Sequence, residues 1–472
     1  MNGGRYAAME RFRGRSDELG LLQRIYDSEG MRTCAVLGRR RIGKSFILEK
    51  FCSQRRSVYV EFVDSSESTN VELLDAAMAP LTGGMSGVRS FKEALNVLRD
   101  ICFAEKTVVV FDEFPYLTQN CKSASSLLQN FIDTCIVQSK SMFVICGSSI
   151  TVMRDETSKS TRPLYGRFPS RLEVKEMSFD ECRDFNPGLA DEDALMLYMT
   201  LGGIPMYHEM ATGSDYPECI KSLFFGPHPL IQDEASAIIG RELNPAARYN
   251  AVMDAIGGGA TILTDIANRS DIDPSSCLKC LRKLMAIGVV GKVHPMLDAP
   301  KGPTYEITDN MIAFEFEVLR KYGTSIRMAD PDMVYEELSD VIRSFLGKRF
   351  EGICADFMRS HYVCKEIGRW WGKAGVGTGT DIDLVAVVRS RKMTVTVLGE
   401  CKFRGDASGF EVYNSLKSKA DALSRDRTVR LMLFSASGFK DNLVLFAEEN
   451  GIILVDLDTL ISRKPAPEIL PI

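Results

Sequence analysis

The sequence predicts a multidomain α/β protein. A parallel sheet covered by helices comes first, then a helix-rich middle, then a second α/β region. Three observations predict this. Apolar runs at 33–37 (TCAVL), 107–113 (TVVVFDE) and 141–149 (SMFVICGSS) alternate with helical patterns, as buried parallel strands do. From residue 246 onward three helical patterns precede a hairpin, VVGKVHPMLDAPKGPTYEIT. Residues 380–402, TDIDLVAVVRSRKMTVTVLGECK, alternate like a second hairpin, and helix–strand–helix–strand patterns follow. At 472 residues the chain is also too long for one ordinary core.

Composition narrows the classes of function. Hydrophobic residues make up 45% and charged residues 26%, as in globular proteins. The net charge of −5 gives no global field for a polyanion, so a nucleic-acid partner needs local basic patches. No apolar run reaches the roughly 18 residues of a membrane helix. The start, MNGGRYAAMERFRGR, lacks an apolar segment, so a cytoplasmic protein without membrane partners is expected. The 13 cysteines suit a reducing compartment. Cys277 and Cys280 form CLKC, but there is no second pair and the chain has only four His, which favours helix packing over zinc.

GRRRIGKS follows the first strand and opens the helical pattern FILEKF, which fits G-x-x-x-x-G-K-S in its strand–loop–helix setting. Backbone N–H groups of Gly38, Arg39, Arg40, Arg41, Ile42 and Gly43 are expected to face phosphates, aided by the helix dipole. Lys44 reaches the β- and γ-phosphates, and the Ser45 hydroxyl ligates Mg²⁺. ATP and Mg²⁺ are the expected cofactors. Asp112, closing the second strand, is the second Mg²⁺ partner, and Glu113 activates the attacking water. Ser148, after the third strand, is a candidate γ-phosphate sensor or an ordinary turn residue.

In the middle, AARYNAVMDAIG ends at a Gly triplet. TILTDIANRS has Thr261 as its expected N-cap. PSSCLKCLRKLMAIG carries Pro274 in its first turn and Gly288 as its stop. Three helices plus a hairpin is the winged-helix plan. The third is the reading helix, with Lys279, Arg282 and Lys283; Asn268 and Arg269 end the second. The hairpin adds Lys292, His294 and Lys301, while Asp271 and Asp273 oppose phosphate binding. Packing against the rest of the protein is the alternative role.

At the C-terminal end, residues 334–359 form one long helical pattern containing Glu351. In the hairpin after it, Glu400 and Lys402 share a face, and a cooperative register brings Asp383 beside Glu400. Two carboxylates and the Cys401 carbonyl are hard oxygen ligands for Mg²⁺. Lys402 could then position a water or stabilise a pentavalent phosphate. Trp370 and Trp371, the only tryptophans, either pack in the core or stack on a base.

FRGRSDEL at 12–19, GRRRIGKS, VVFDEFPYL, ICGSS, PLYGRF and LGGIPMY at 201–207, in this order, resemble the archaeal-type ATPase family of the AAA+/STAND class of P-loop NTPases. The resemblance implies that Arg15 lies near adenine and that Pro205 belongs to a helical lid touching nucleotide. Arg167 would sit where a charge-sensing arginine lies, with an exposed salt-bridging arginine as the alternative. Phe168 stands where the family usually has a basic residue. The Asp383 and Glu400-x-Lys402 spacing resembles the PD-(D/E)XK nuclease superfamily, with Glu351 matching its helix-borne acid and Ile382 replacing its habitual Pro. IGRWWGK, IDLVAVV, GECKF and FSASGF resemble the C-terminal domain usually attached to this ATPase family.

The implied organisation is a P-loop ATPase core at 1–175, a helical lid at 176–245, a winged helix at 246–330 and a restriction-endonuclease-like α/β domain at 334–472. The function expected is ATP binding and hydrolysis coupled to a nucleic-acid-binding or nuclease-like domain, with DNA or RNA as partner. An ATP-driven signalling switch with nucleotide-dependent self-association, or a DNA-binding regulator with an inert nuclease fold, are the alternatives.

Overall fold

The computed structural model describes residues 12–297, 302–323, 325–372, 380–390, 393–423, 427–461 and 464–469. Lys301, the tip 298–301 of the first hairpin, most of the Gly-rich GVGTGT run and the second hairpin's turn at 391–392 lie outside them. The chain divides into two compact units. One holds residues 1–185 and 203–209, the other 186–202 and 210–472.

In the first unit, α1 (Ser16–Asp27) leads into β1 (Thr33–Leu37), and α2 (Lys44–Cys52) follows the loop after it. The strands β2 (Ser57–Glu61), β3 (Val108–Asp112), β4 (Met142–Gly147) and β5 (Ser170–Glu173) complete a five-stranded sheet. Its order is β2-β3-β4-β1-β5, and every pair is parallel. β1, β3 and β4 are buried along their whole length, which is why the sequence shows them as unbroken apolar runs. Phe62, Phe111 and Phe143 meet edge to face, with centroids 5.1 and 5.0 Å apart. The strands thereby share one aromatic core, and the carboxyl ends of β1, β3 and β4 open on one edge.

Residues 203–209 close this unit. The Met177 N–H donates to the Gly203 carbonyl at 2.9 Å, so the two backbones touch. A Cβ on Gly203 would lie 2.6 Å from the Met177 nitrogen and nearer still to its carbonyl oxygen. Backbone cannot step aside as a side-chain end can. Gly203→Ala is therefore expected to cost about 3 kcal/mol of stability, read as a lower urea midpoint at unchanged slope.

The second unit contains α3 (Ala246–Gly257), α4 (Leu263–Arg269), α5 (Pro274–Ala286) and the antiparallel pair β6 (Val290–Val293) and β7 (Thr304–Ile307). Thr261 is not the cap of α4. Ile262 holds that position, and the Thr261 carbonyl instead accepts the Tyr305 N–H at 2.7 Å. That contact draws the segment toward the hairpin and delays the helix. α5 has Pro274 in its first turn, as its sequence suggests, and is capped by the Asp273 carboxylate on the Ser276 N–H at 2.9 Å. Cys277 and Cys280 are buried in α5 packing, and no metal-holding cluster of three His, Cys, Asp or Glu occurs among the described residues.

α6 (Pro331–His361) starts three residues before the expected 334, because Asp330 caps the Asp332 and Met333 N–H groups and Pro331 fits the first turn. Beyond it β8 (Cys364–Gly372), β9 (Thr380–Ser390), β10 (Met393–Lys402), β11 (Val429–Ser435) and β12 (Ile453–Asp456) form a mixed sheet. α7 (Phe410–Leu423) and α8 (Asp441–Asn450) lie between the later strands in sequence. The order is β12-β11-β10-β9-β8; the β8–β9–β10 ladder is antiparallel, and β10–β11–β12 is parallel. Val412, Leu416 and Ala420 of α7 pack on Ile382, Val385, Leu398 and Leu433 of this sheet.

Candidate functional site

The loop after β1 wraps around its own lysine. The buried Lys44 ammonium donates to the Gly38 and Arg39 carbonyls, both at 2.8 Å. Burial lowers its pKa most, and the nearby acids Glu113 and Asp112 act the other way. Gly43 sits at φ 93°, a left-handed conformation that opens the backbone at the start of α2. Pro205 lies against it, 3.9 Å from where a Gly43 Cβ would stand. Arg15 is buried behind the loop. It donates to the Ile42 carbonyl at 3.0 Å and the Lys175 carbonyl at 2.8 Å, and pairs with Glu18 at 2.9 Å. It braces the loop from the protein side. Arg39 pairs with Glu176 at 2.9 Å, and Arg40 donates to the Tyr116 hydroxyl at 2.9 Å.

β3 delivers the acids. The Ser45 hydroxyl donates to Asp112 Oδ2 at 2.6 Å, so the two side chains expected to share a cation already converge. The Tyr59 hydroxyl donates to the same oxygen at 2.5 Å. The Glu61–Asp112 register of β2 and β3 carries Tyr59 to within reach. In the sequence Tyr59 is marked only by the alternating SVYVE run. Glu113 follows at φ 47°, and Ser148 at the end of β4 donates to both its carboxylate oxygens at 3.1 Å. Ser148 therefore touches the carboxylate that would orient water. Arg167 pairs with Asp133 at 3.0 Å.

A second cluster lies in the other unit. β9 and β10 pair Leu384 with Gly399, so the next step along the ladder sets Asp383 opposite Glu400. The Lys402 ammonium sits between them, 2.7 Å from Glu400 Oε1 and 3.7 Å from Asp383 Oδ2. The Cys401 N–H donates to Asp383 Oδ2 at 2.9 Å. Lys419 of α7, not foreseen, takes the other Glu400 oxygen at 3.0 Å. Burial, then the Glu400 charge, raises the Asp383 pKa, while Lys402 and Lys419 oppose the rise.

Glu351 approaches from α6, and Arg369 of β8 reaches its carboxylate at 3.5 Å. Arg369 also pairs with Glu306 of β7, and its carbonyl accepts the Met296 N–H at 2.8 Å. Met296 and Leu297 pack on the core of the mixed sheet, so the β6–β7 hairpin is docked there. Between hairpin and sheet runs a cleft of about 220 Å³, lined by Tyr305, Glu306, Glu351, Arg369, Trp371 and Asp383 among others. Trp370 is buried at 2% exposure, whereas Trp371 is half-buried on that wall. Lys279, Arg282 and Lys283 of α5 are exposed, as are Asn268, Arg269, Lys292 and His294.

Burial, followed by the Asp383 charge, pushes Glu351 up to about 7 from its ordinary 4.5. Between those values the folded chain holds a proton that the unfolded chain has released. Stability should therefore fall as pH rises through this window and level off above it, by about 2–3 kcal/mol. Glu351→Gln is expected to remove that fall, which urea unfolding of both proteins at pH 5 and pH 8 would show.

Comparison with known proteins bears first on the unit that holds the phosphate loop. Residues 12–210 match the family model described as an ATPase domain predominantly from Archaea. Residues 316–415 match a model for archaeal and bacterial proteins of unknown function. An uncharacterized protein of Methanocaldococcus jannaschii is 25% identical over 424 residues, spanning 88% of this chain and 93% of its own length. A Walker-type ATPase of Pyrococcus abyssi superposes with a TM-score of 0.52 at 18% identity, covering 66% of this chain and 97% of that one. The Aeropyrum pernix ORC2 protein matches with a TM-score of 0.46 at 14% identity, over 71% of this chain and 95% of its own. The chain carries a P-loop ATPase domain that binds and hydrolyses ATP. Among the described residues no helix is long and apolar enough to cross a membrane.

Proposed function

We propose that this is an Mg²⁺-dependent ATPase whose nucleotide state governs a nuclease-like carboxylate site acting on nucleic acid. On this reading α3–α5 with the β6–β7 hairpin are a winged helix, and the mixed sheet is a PD-(D/E)XK-type domain. In the ATPase domain, Ser45 and Asp112 would hold Mg²⁺, which when bound would offset phosphate charge. Lys44 exchanges its two loop carbonyls for phosphate oxygens. Ser148 orients Glu113, whose carboxylate takes a proton from the attacking water. Residues 203–209, which bear Pro205 against the phosphate loop, belong to the first unit, while the chain on either side belongs to the second. A nucleotide-dependent shift of that segment thus pulls on both of its junctions.

The observation that carries the nuclease-like reading is the Lys402 ammonium lodged between Asp383 and Glu400. Two carboxylates kept together by a lysine match the needs of phosphodiester hydrolysis: oxygen ligands for a cation and a cationic group beside the scissile phosphate. The exposed Lys279, Arg282 and Lys283 on α5 supply a local basic face despite the net charge of −5. The test is Mn²⁺-dependent cleavage of labelled oligonucleotides by wild type and Asp383→Ala. Equal cleavage by both would remove the site assignment.

One observation favours a second reading. Lys402 and Lys419 occupy both Glu400 oxygens, and Arg369 holds Glu351. A fold retained for ATP-gated binding without cutting would keep such pairs permanently. Metal-independent oligonucleotide binding, with no cleavage by wild type, would support it.

A further inference from the structure

Resting on the nuclease-like reading, we infer that the cleft beside Asp383 takes single-stranded nucleic acid, one base at a time against Trp371, and excludes duplex. The carboxylates do not lie open on a sheet edge. The β6–β7 hairpin faces Glu351 and Asp383 across the cleft, held by the Met296–Arg369 backbone bond at 2.8 Å, by Met296 and Leu297 on the sheet core, and by the Glu306–Arg369–Glu351 chain of charges. The space left is about 220 Å³. That is the scale of a single nucleotide, far too small for a double helix.

The lining fits the same occupant. Trp371 offers a face for stacking, which tolerates any base. The lining's two cations are already engaged, Lys348 by Glu317 and Arg369 by Glu306 and Glu351, and Glu306, Glu351, Asp381 and Asp383 outnumber them. A polyanion therefore enters this slot together with a divalent cation that offsets the carboxylates. Strand entry is coupled to cation entry, whereas binding on the basic face of α5 is not.

The protein supplies its own reporter, because Trp370 and Trp371 are its only tryptophans and Trp370 is buried. Full-length protein is titrated in Ca²⁺ with a 12-nucleotide oligo-dT, its oligo-U counterpart and a blunt duplex of equal length. Tryptophan emission and the anisotropy of labelled strands are followed. The expected result is saturable quenching by a single strand, abolished by EDTA, with the duplex bound at least about 10-fold more weakly. Trp371→Leu should weaken single-strand binding by about 5- to 100-fold. Comparison of oligo-dT with oligo-U identifies the preferred sugar. Equal affinity for the duplex with the same quenching would overturn the inference. So would single-strand binding that leaves tryptophan emission unchanged and survives Trp371→Leu, or no binding at all. In a parallel arm Mn²⁺ replaces Ca²⁺ and cleavage of the same strands is followed: quenching in Ca²⁺ with no cleavage in Mn²⁺ upholds the inference and defeats the nuclease reading. Equal cleavage of duplex and single strand does the reverse.

Discussion

Lys44→Ala is expected to lower ATP turnover by about 10²–10³-fold, the largest single effect on the ATPase site. Lys44 is the one loop side chain whose ammonium lies within the ring of loop carbonyls, 2.8 Å from two of them. With nucleotide bound, the same ammonium would meet charge that grows on the phosphates as the terminal bond breaks, while the nearby Arg40 is engaged by the Tyr116 hydroxyl. Arg15 is turned away to brace Ile42, and Arg39 is paired with Glu176. Steady-state phosphate release is the measurement. A variant retaining more than about a tenth of wild-type turnover would contradict the role given to Lys44. The same variant should leave metal-dependent cleavage in the absence of ATP unchanged, because Asp383 and Glu400 lie in the other unit.

Asp383→Ala should reduce metal-dependent cleavage by at least about 100-fold. The carboxylate is one of two that Lys402 holds together, and its loss leaves Glu400 alone between Lys402 and Lys419. Alanine also leaves the Cys401 N–H without its acceptor, so part of any loss is structural. Asp383→Asn keeps an oxygen for that N–H while removing the charge. If Asn restores stability but not cleavage, the charge is what the chemistry uses. If Asn restores both, Asp383 only shapes the strand.

Much of this was visible in the sequence, for a physical reason. GRRRIGKS, TVVVFDE and SMFVICGSS are contiguous, and each combines a buried strand with the polar residues at its carboxyl end. Local order therefore carried Lys44, Ser45, Asp112, Glu113 and Ser148 as a set. Alternation put Glu400 and Lys402 on one face, but the register that sets Asp383 opposite Glu400 was left open by the sequence and is fixed by the β9–β10 pairing. Tyr59, Lys419 and Arg369 were not visible in it. Tyr59 lies on a half-buried strand, and only the β2–β3 register brings it to Asp112. Lys419 is an ordinary helical lysine until α7 packs on the sheet and points it at Glu400. Thr261 read as a helix cap, and a carbonyl contact across to Tyr305 decided otherwise.

The sequence by itself determined the phosphate loop, the strands that end in acids, and the alternation that sets Glu400 and Lys402 on one face. These are features of chain neighbours, fixed by local geometry. Only the tertiary structure decided what surrounds them. It turned Arg15 behind the loop, set Ser148 on Glu113, and docked the β6–β7 hairpin opposite Glu351 and Asp383 through Met296, Glu306 and Arg369. Such contacts join residues 18 to 73 positions apart. Packing of whole elements selects them, and no short stretch of chain encodes that choice.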